Sequence, residues 1–147
     1  MKLNGITASG GLAEPVATLD DMVKEVMAAT ADMYAAGVFE PPWIGYLAIE
    51  DGQCVGTCAF KEPPQDNRVE LAFFTFPEHE GRGVATRMTE LLIGIAVAAD
   101  PAVTIAAQTL PEESAATAVL RRNGFRLIGE VENDEDGIVW EWQRAVT

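Results

Sequence analysis

Residues Val69-Glu70-Leu71-Ala72-Phe73-Phe74-Thr75-Phe76-Pro77 read as an apolar strand. After a short charged loop the chain enters Gly81-Arg82-Gly83-Val84-Ala85-Thr86, the start of a helix. A strand that feeds a helix this directly constrains the fold more than any other stretch. The helix must pack back on the sheet, and the next strand, over 102–110, is then expected to run parallel to the first through a right-handed crossover. The join also has chemistry of its own. A helix start leaves backbone N–H groups unpaired and carries partial positive charge, and glycines at 81 and 83 let an anion approach that backbone closely. The pattern predicts a phosphate cradle over 81–86. It is neither a Walker loop, which ends in Gly-Lys-Ser/Thr, nor a dinucleotide fingerprint, whose third glycine is missing. A bare Gly-x-Gly also fits a plain strand-to-helix turn, so the context has to decide.

The rest of the chain alternates strands and helices around this join. Residues 2–7 read as a short strand before the Ser9-Gly10-Gly11 break. Thr18-Leu19-Asp20-Asp21 reads as a helix start, and Leu19, Met22, Val23, Val26, Met27, Met33 and Tyr34 recur at helical steps up to Gly37. The methionines of this helix are expected in the core. Pro41-Pro42 ends any helix, and strands over 43–50 and 53–60 flank Asp51-Gly52, a strong hairpin turn. Strand 68–76 is apolar on both faces apart from its ends, as suits a central strand, with Glu70 the exception. Helix 83–99 is expected to turn Val84, Met88, Leu91, Leu92, Ile95 and Ala98 inward. Next come the strand over 102–110, a helix over 112–123 opened by Pro111, and a hairpin of strands 125–132 and 138–144. This order predicts one domain over residues 1–147: an α/β sandwich with a mixed, mostly antiparallel central sheet and helices on both faces.

Charge narrows the partners. The chain carries a formal charge of −13 over its 147 residues, a surface that repels nucleic acid and favours a cationic partner. Residues 82–126 hold five arginines against four carboxylates, a balance of +1, which leaves −14 on the remainder. The region that is not strongly acidic therefore surrounds the proposed cradle. No apolar run reads as a signal peptide or reaches the roughly 18 residues of a membrane span, so the expected setting is cytoplasmic, away from membranes. Cys54 and Cys58 lie four apart on one strand, roughly 13 Å between Cα atoms at strand rise and too far for a disulfide. They read as small core residues, and a single histidine with no Cys-x-x-Cys argues against a structural metal.

Glu80-Gly81-Arg82-Gly83-Val84-Ala85 resembles motif A of the GNAT superfamily of N-acetyltransferases, Gln/Arg-x-x-Gly-x-Gly/Ala with an acidic residue on the preceding strand. Its first position departs, Glu80 standing where the family has Gln or Arg. The run from Glu70 through Pro77-Glu78 to Thr86 is most similar to the branch of the ribosomal-protein N-terminal acetyltransferases. Val119-Leu120-Arg121-Arg122-Asn123-Gly124-Phe125 is similar to a second family signature, a helix closing in Gly-Phe. From residue 43 onward the order of elements follows the family, and the first forty residues match loosely. The resemblance implies a GNAT-like sheet whose two parallel central strands splay apart, with acetyl-CoA, the cosubstrate, in the gap. Its pantetheine arm would bond to main-chain groups of Phe74, Thr75 and Phe76. Its pyrophosphate would rest on N–H groups of Gly81, Arg82, Gly83, Val84, Ala85 and Thr86, with Arg82 or Arg87 adding charge. Arg121 and Arg122 are either contacts to the adenosine 3′-phosphate or solvated helix charges.

Acetyl transfer to an amine needs a deprotonated acceptor, a polarised thioester carbonyl and a protonated leaving thiolate. Glu70 matches the acidic residue many family members use as the base, often through water; alternatively it is structural and the site works by positioning. A strand N–H near Thr75 or Phe76 could polarise the carbonyl. The acid is where the sequence departs: Leu120 takes the place of a frequent tyrosine, Glu113 or Ser114 that of an asparagine, and Ala116 that of a serine. His79 and Tyr46 are substitutes on paper, a lone loop histidine reading as solvated, and the acid stays unassigned. One reading is an acetyl-CoA-dependent N-acetyltransferase acting on a primary amine of a cationic small molecule or a peptide N-terminus. The other is a non-catalytic acyl-CoA-binding or regulatory module. The loops at 39–43 and 133–137 carry no readable acceptor code, and edge strands of this fold commonly pair, which is compatible with a homodimer.

Overall fold

The computed structural model describes residues 1–144. The chain runs β1 (Lys2–Gly5), α1 (Asp21–Ala36), β2 (Gly45–Glu50), β3 (Gln53–Phe60), β4 (Arg68–Thr75), a 3-10 turn (Pro77–His79) and α2 (Val84–Ala99). It continues through β5 (Thr104–Thr109), α3 (Ala115–Arg122), β6 (Phe125–Asn133) and β7 (Gly137–Arg144). The strands form one sheet in the order β1-β2-β3-β4-β5-β7-β6. Every neighbouring pair is antiparallel except β4 and β5, which are parallel as the connecting helix requires. β7 inserts beside β5 and leaves β6 at the edge.

Helices cover both faces, and β3 shows why. On one face, Gly45 and its partner Ala59 meet α1: a Cβ at Gly45 would lie 2.9 Å from the Thr30 methyl. On the other, Gly56 meets α2: a Cβ there would lie 2.9 Å from the Phe74 carbonyl and 3.0 Å from the Met88 sulfur. Residues 56 and 59 point to opposite sides of the strand, so the two helices lie on opposite sides of the sheet. Tyr34 anchors α1 by donating to the Ile6 carbonyl (2.9 Å) and accepting from the Gly45 N–H (2.8 Å).

Several expectations shift. The methionines of α1 are not all core: Met22 and Met33 are 45% and 38% exposed, and Val23 and Tyr34 carry the buried face. In α2 the buried stripe is Val84, Met88, Thr89, Leu92, Ile93 and Ala96, with Leu91 outside. A helix apolar nearly all round does not fix its own rotation by periodicity. The helix expected from Glu112 starts later, because the Ser114 hydroxyl accepts from Thr117 N and Thr117 Oγ1 from Ser114 N, a reciprocal cap that excludes Pro111. β2 begins at Gly45 rather than Trp43. Among the described residues no helix is long and apolar enough to cross a membrane.

Candidate active site

β4 and β5 pair over Arg68–Glu70 and Thr104–Ala106 and no further. Beyond Glu70, β4 stays with β3 as far as Thr75, while β5 follows β7. The parallel strands therefore part, as the family resemblance implied, and Glu70 is the last paired residue before the gap. Strand parity then decides which main-chain groups face it. Lys61 N donates to Glu70 O (2.9 Å) and Phe76 N to Val55 O (3.1 Å), so even-numbered residues of β4 are committed to β3. The odd ones, Leu71, Phe73 and Thr75, aim their N–H and C=O groups at the gap, consistent with the bond from Thr104 N to Asn67 O (2.8 Å). This corrects the expected trio: the main chain of Phe74 and Phe76 is turned to β3, Thr75 faces the gap, and Phe73 joins it. Alternation counted back from the expected β3–β4 pairing would have identified Phe73.

The gap opens toward the helix start. Gly81 and Gly83 both take positive φ, 77° and 74°, so the loop folds its N–H groups inward before α2 begins. Arg87 N makes the first helical bond, to Gly83 O (3.1 Å), and the N–H groups of residues 81–86 donate to no protein acceptor among the described residues. A cavity of about 630 Å³ spans this cradle and the free half of β4. It is lined by Phe74, Thr75, Gly81, Gly83, Val84, Ala85 and Thr86 among the expected residues. Phe73, His79 and Arg122 join them, with the small residues Ala115, Ala116 and Ala118 of α3 opposite. This explains why Phe74, expected within an enclosed strand, is 49% exposed.

The expected cations divide. Arg122 lines the cavity, whereas Arg121 pairs with Glu113 (2.5 Å) and stacks over Trp142 at 4.8 Å. Arg87 donates to the Arg82 carbonyl (2.8 Å) and to Glu50 (2.9 Å), bracing the loop from behind, and Arg82 is not among the lining residues. His79, read from sequence as a solvated loop residue, instead stands half-buried in the cavity wall, with its Nδ1 buried and without a partner among the described residues.

Glu70 faces a second cavity, about 600 Å³, together with Lys61, Glu62, Gln65, Asp66, Arg68, Asn133, Asp134 and Glu135. Its side chain is 13% exposed and lies in ion pairs with Lys61 Nζ and Arg68 Nη2, the latter at 3.4 Å. Arg68 is held by Glu141 at 2.8 and 3.1 Å, Gln108 donates to Glu141 (3.1 Å), and Asn133 donates to Gln108 (2.9 Å). A continuous polar chain thus fixes Glu70 from the β6–β7 turn. Burial pushes the Glu141 carboxyl up, but hydrogen bonds from Arg68, Gln143 and Gln108 and the Arg68 charge outweigh it and hold the group below its ordinary value of 4.5. A depressed carboxyl contributes stability that is complete above its ordinary value and is lost as pH falls through the folded one. Glu141→Gln is therefore expected to cost about 1–3 kcal/mol at neutral pH. The difference from wild type should close as pH drops below 4.5, measured by denaturant titration at several pH values.

Other candidates fall away. Leu120 is fully buried, and the Tyr46 hydroxyl donates to the Pro42 carbonyl (2.7 Å), with burial first and Cys58 and Tyr34 next pushing it up to about 12. Burial raises the Cys54 and Cys58 thiols to about 11 and about 12, which suits packing and not nucleophilic attack.

A mixed sheet with a splayed parallel pair, closed at one end by a carboxylate and opening at the other on a glycine-rich helix start, defines an acyl-transfer fold. The model of the acetyltransferase (GNAT) domain matches residues 13–126, and the chain belongs to that family. The match takes in α1, which the sequence related to the family only loosely. An acetyl-CoA-dependent N-acetyltransferase is the activity of the family. No curated protein matches the sequence. Among solved structures, the ribosomal L7/L12 α-N-protein acetyltransferase RimL in complex with coenzyme A is similar at 16% identity and TM-score 0.67, covering 88% of this chain and 74% of that one. The aminoglycoside acetyltransferase AAC(6')-Ib, in complex with coenzyme A and kanamycin, is similar at 19% identity and TM-score 0.64, over 81% and 76% of the two chains. The microcin self-immunity acetyltransferase MccE, in complex with acetyl-CoA and AMP, is similar at 11% identity and TM-score 0.66, over 85% and 71%.

Proposed function

We propose that this domain moves the acetyl group of acetyl-CoA to a primary amine on a cationic acceptor, a small molecule or a peptide N-terminus, with Glu70 as the base. One observation supports the reading: β4 parts from β5 just after Glu70, the strand freed there runs on toward the cradle at 81–86, and Glu70 stands in the wall of an acidic cavity. The residues fit the cosubstrate. Unpaired N–H groups at a helix start and Arg122 suit its phosphates, the gap-facing main chain of Phe73 and Thr75 suits its amide-bearing arm, and His79 Nδ1 is a buried polar atom without a partner among the described residues. Acetyl-CoA supplies the activated acyl carbon. Glu70 takes the ammonium proton directly or through a water, and the hydrogen bond from Arg68 (3.4 Å) holds its carboxylate toward the cavity. The two unpaired thiols fit a reducing, cytoplasmic setting.

The acceptor cavity is lined by five carboxylates, Glu62, Asp66, Glu70, Asp134 and Glu135, against two cations, Lys61 and Arg68. A field of that sign attracts ammonium groups and weakens with salt. Across a panel of amines, KM for diamines and basic peptides should rise with ionic strength while that for neutral amines stays flat; a preference for anionic acceptors would contradict the assignment. The buried, hydroxyl-free Leu120 favours the second reading, a module that binds acyl-CoA without turnover.

A further inference from the structure

Lys61 leaves the end of β3, and its Nζ lies against the Glu70 carboxylate at the closed end of the gap. This is where an acceptor ammonium stands if Glu70 takes its proton directly. The side chain is half exposed, lines both the acidic cavity and the one beside it that Trp43 and Phe60 line, and is held among the described residues by one ion pair. The other lysines are placed differently. Lys2 pairs with Glu14 on the surface and Lys24 is exposed on α1; neither lines the acidic cavity that Glu70 faces.

We propose that Lys61 is a self-acetylation site, modified in cis when no external amine occupies the acidic cavity. The inference rests on the acetyltransferase reading with Glu70 as base. Glu70 accepts a proton from the Lys61 ammonium and passes it to solvent, and the freed Nζ lone pair forms a bond to the thioester carbonyl carbon. The C–S bond breaks, and the sulfur leaves as the CoA thiol with the amine's second proton. The product is a neutral amide that no longer pairs with Glu70, which leaves the carboxylate to external amines.

The test is peptide mapping of the purified protein after incubation with acetyl-CoA alone, with Lys2 and Lys24 as internal references for uncatalysed acetylation. Lys61 should be acetylated at least about tenfold faster than either, since a group held beside the base gains the advantage of proximity. The rate should be first order and unchanged on dilution. Glu70→Gln should bring Lys61 down to the reference rate while leaving Lys2 and Lys24 as they were. Should that variant fold poorly, the wild-type protein decides by two readings together, the excess rate of Lys61 over Lys2 and Lys24 and its independence of dilution. Equal labelling of the three lysines, or a rate proportional to protein concentration, would overturn the proposal. If added amines are acetylated while Lys61 stays unmodified, this inference fails and the acetyltransferase reading stands. If neither is acetylated, both fail.

Discussion

Glu70→Gln lowers kcat by roughly 10²–10⁴-fold, the usual contribution of a positioned base, and leaves acetyl-CoA affinity nearly unchanged. Affinity is spared because Glu70 lies outside the cavity formed by the cradle and the free half of β4. The amide keeps the shape of the carboxylate and can still accept from Arg68, so the polar chain running to Glu141 survives. What goes is basicity. Stopped-flow thiol release at saturating acetyl-CoA and saturating amine checks the rate. Wild-type kcat in the variant would make Glu70 structural, with the site working by positioning a free amine.

Gly83→Val weakens acetyl-CoA binding by about 10–100-fold, the equivalent of one lost charge-assisted hydrogen bond. Gly83 caps α2 with φ 74°, a conformation a β-branched residue adopts only under strain, and an added Cβ would meet Arg87 Nη1 at 3.3 Å. Relieving that strain rotates the N–H groups of Val84, Ala85 and Thr86 away from a common focus. Strain alone is separated from binding by Gly52→Val. Gly52 has nearly the same φ, 75°, and nothing within 4 Å of an added Cβ, but it sits in the β2–β3 turn away from the cradle. Calorimetric titration should show weakened binding for Gly83→Val and wild-type binding for Gly52→Val, with both destabilised. Equal affinity in all three proteins would remove the cradle from the account.

The parts of the molecule legible in the sequence are those set by local chemistry. Asp51-Gly52 predicts its hairpin because few residue pairs accept two positive φ values, and the structure has both. The strand ending at Thr75, the glycines at 81 and 83 and the helix after them are equally local. So is the parallel pairing, which a helical crossover demands. What escaped reading depends on partners distant in sequence. Phe73 faces the gap because Lys61 and Val55 of the neighbouring strand region claim alternate residues of β4. Lys61, Arg68 and Glu141 form one network with Glu70 across 80 residues of chain, and no spacing rule connects them. His79 reads as a solvated histidine until α3 closes the far wall of its cavity. The rotation of α2, with Leu91 outside, is set by packing on β3 and β4, because its own pattern is apolar in nearly every direction.

The claim that binding is joined to chemistry through one gap is tested most directly by thiol release from acetyl-CoA, followed with and without amines. The account predicts saturable release that depends on acetyl-CoA and is accelerated by cationic primary amines, with one acetylated amine formed per thiol. Tight binding of acetyl-CoA with no amine-dependent release, across diamines, aminoglycosides and basic peptides, would contradict it.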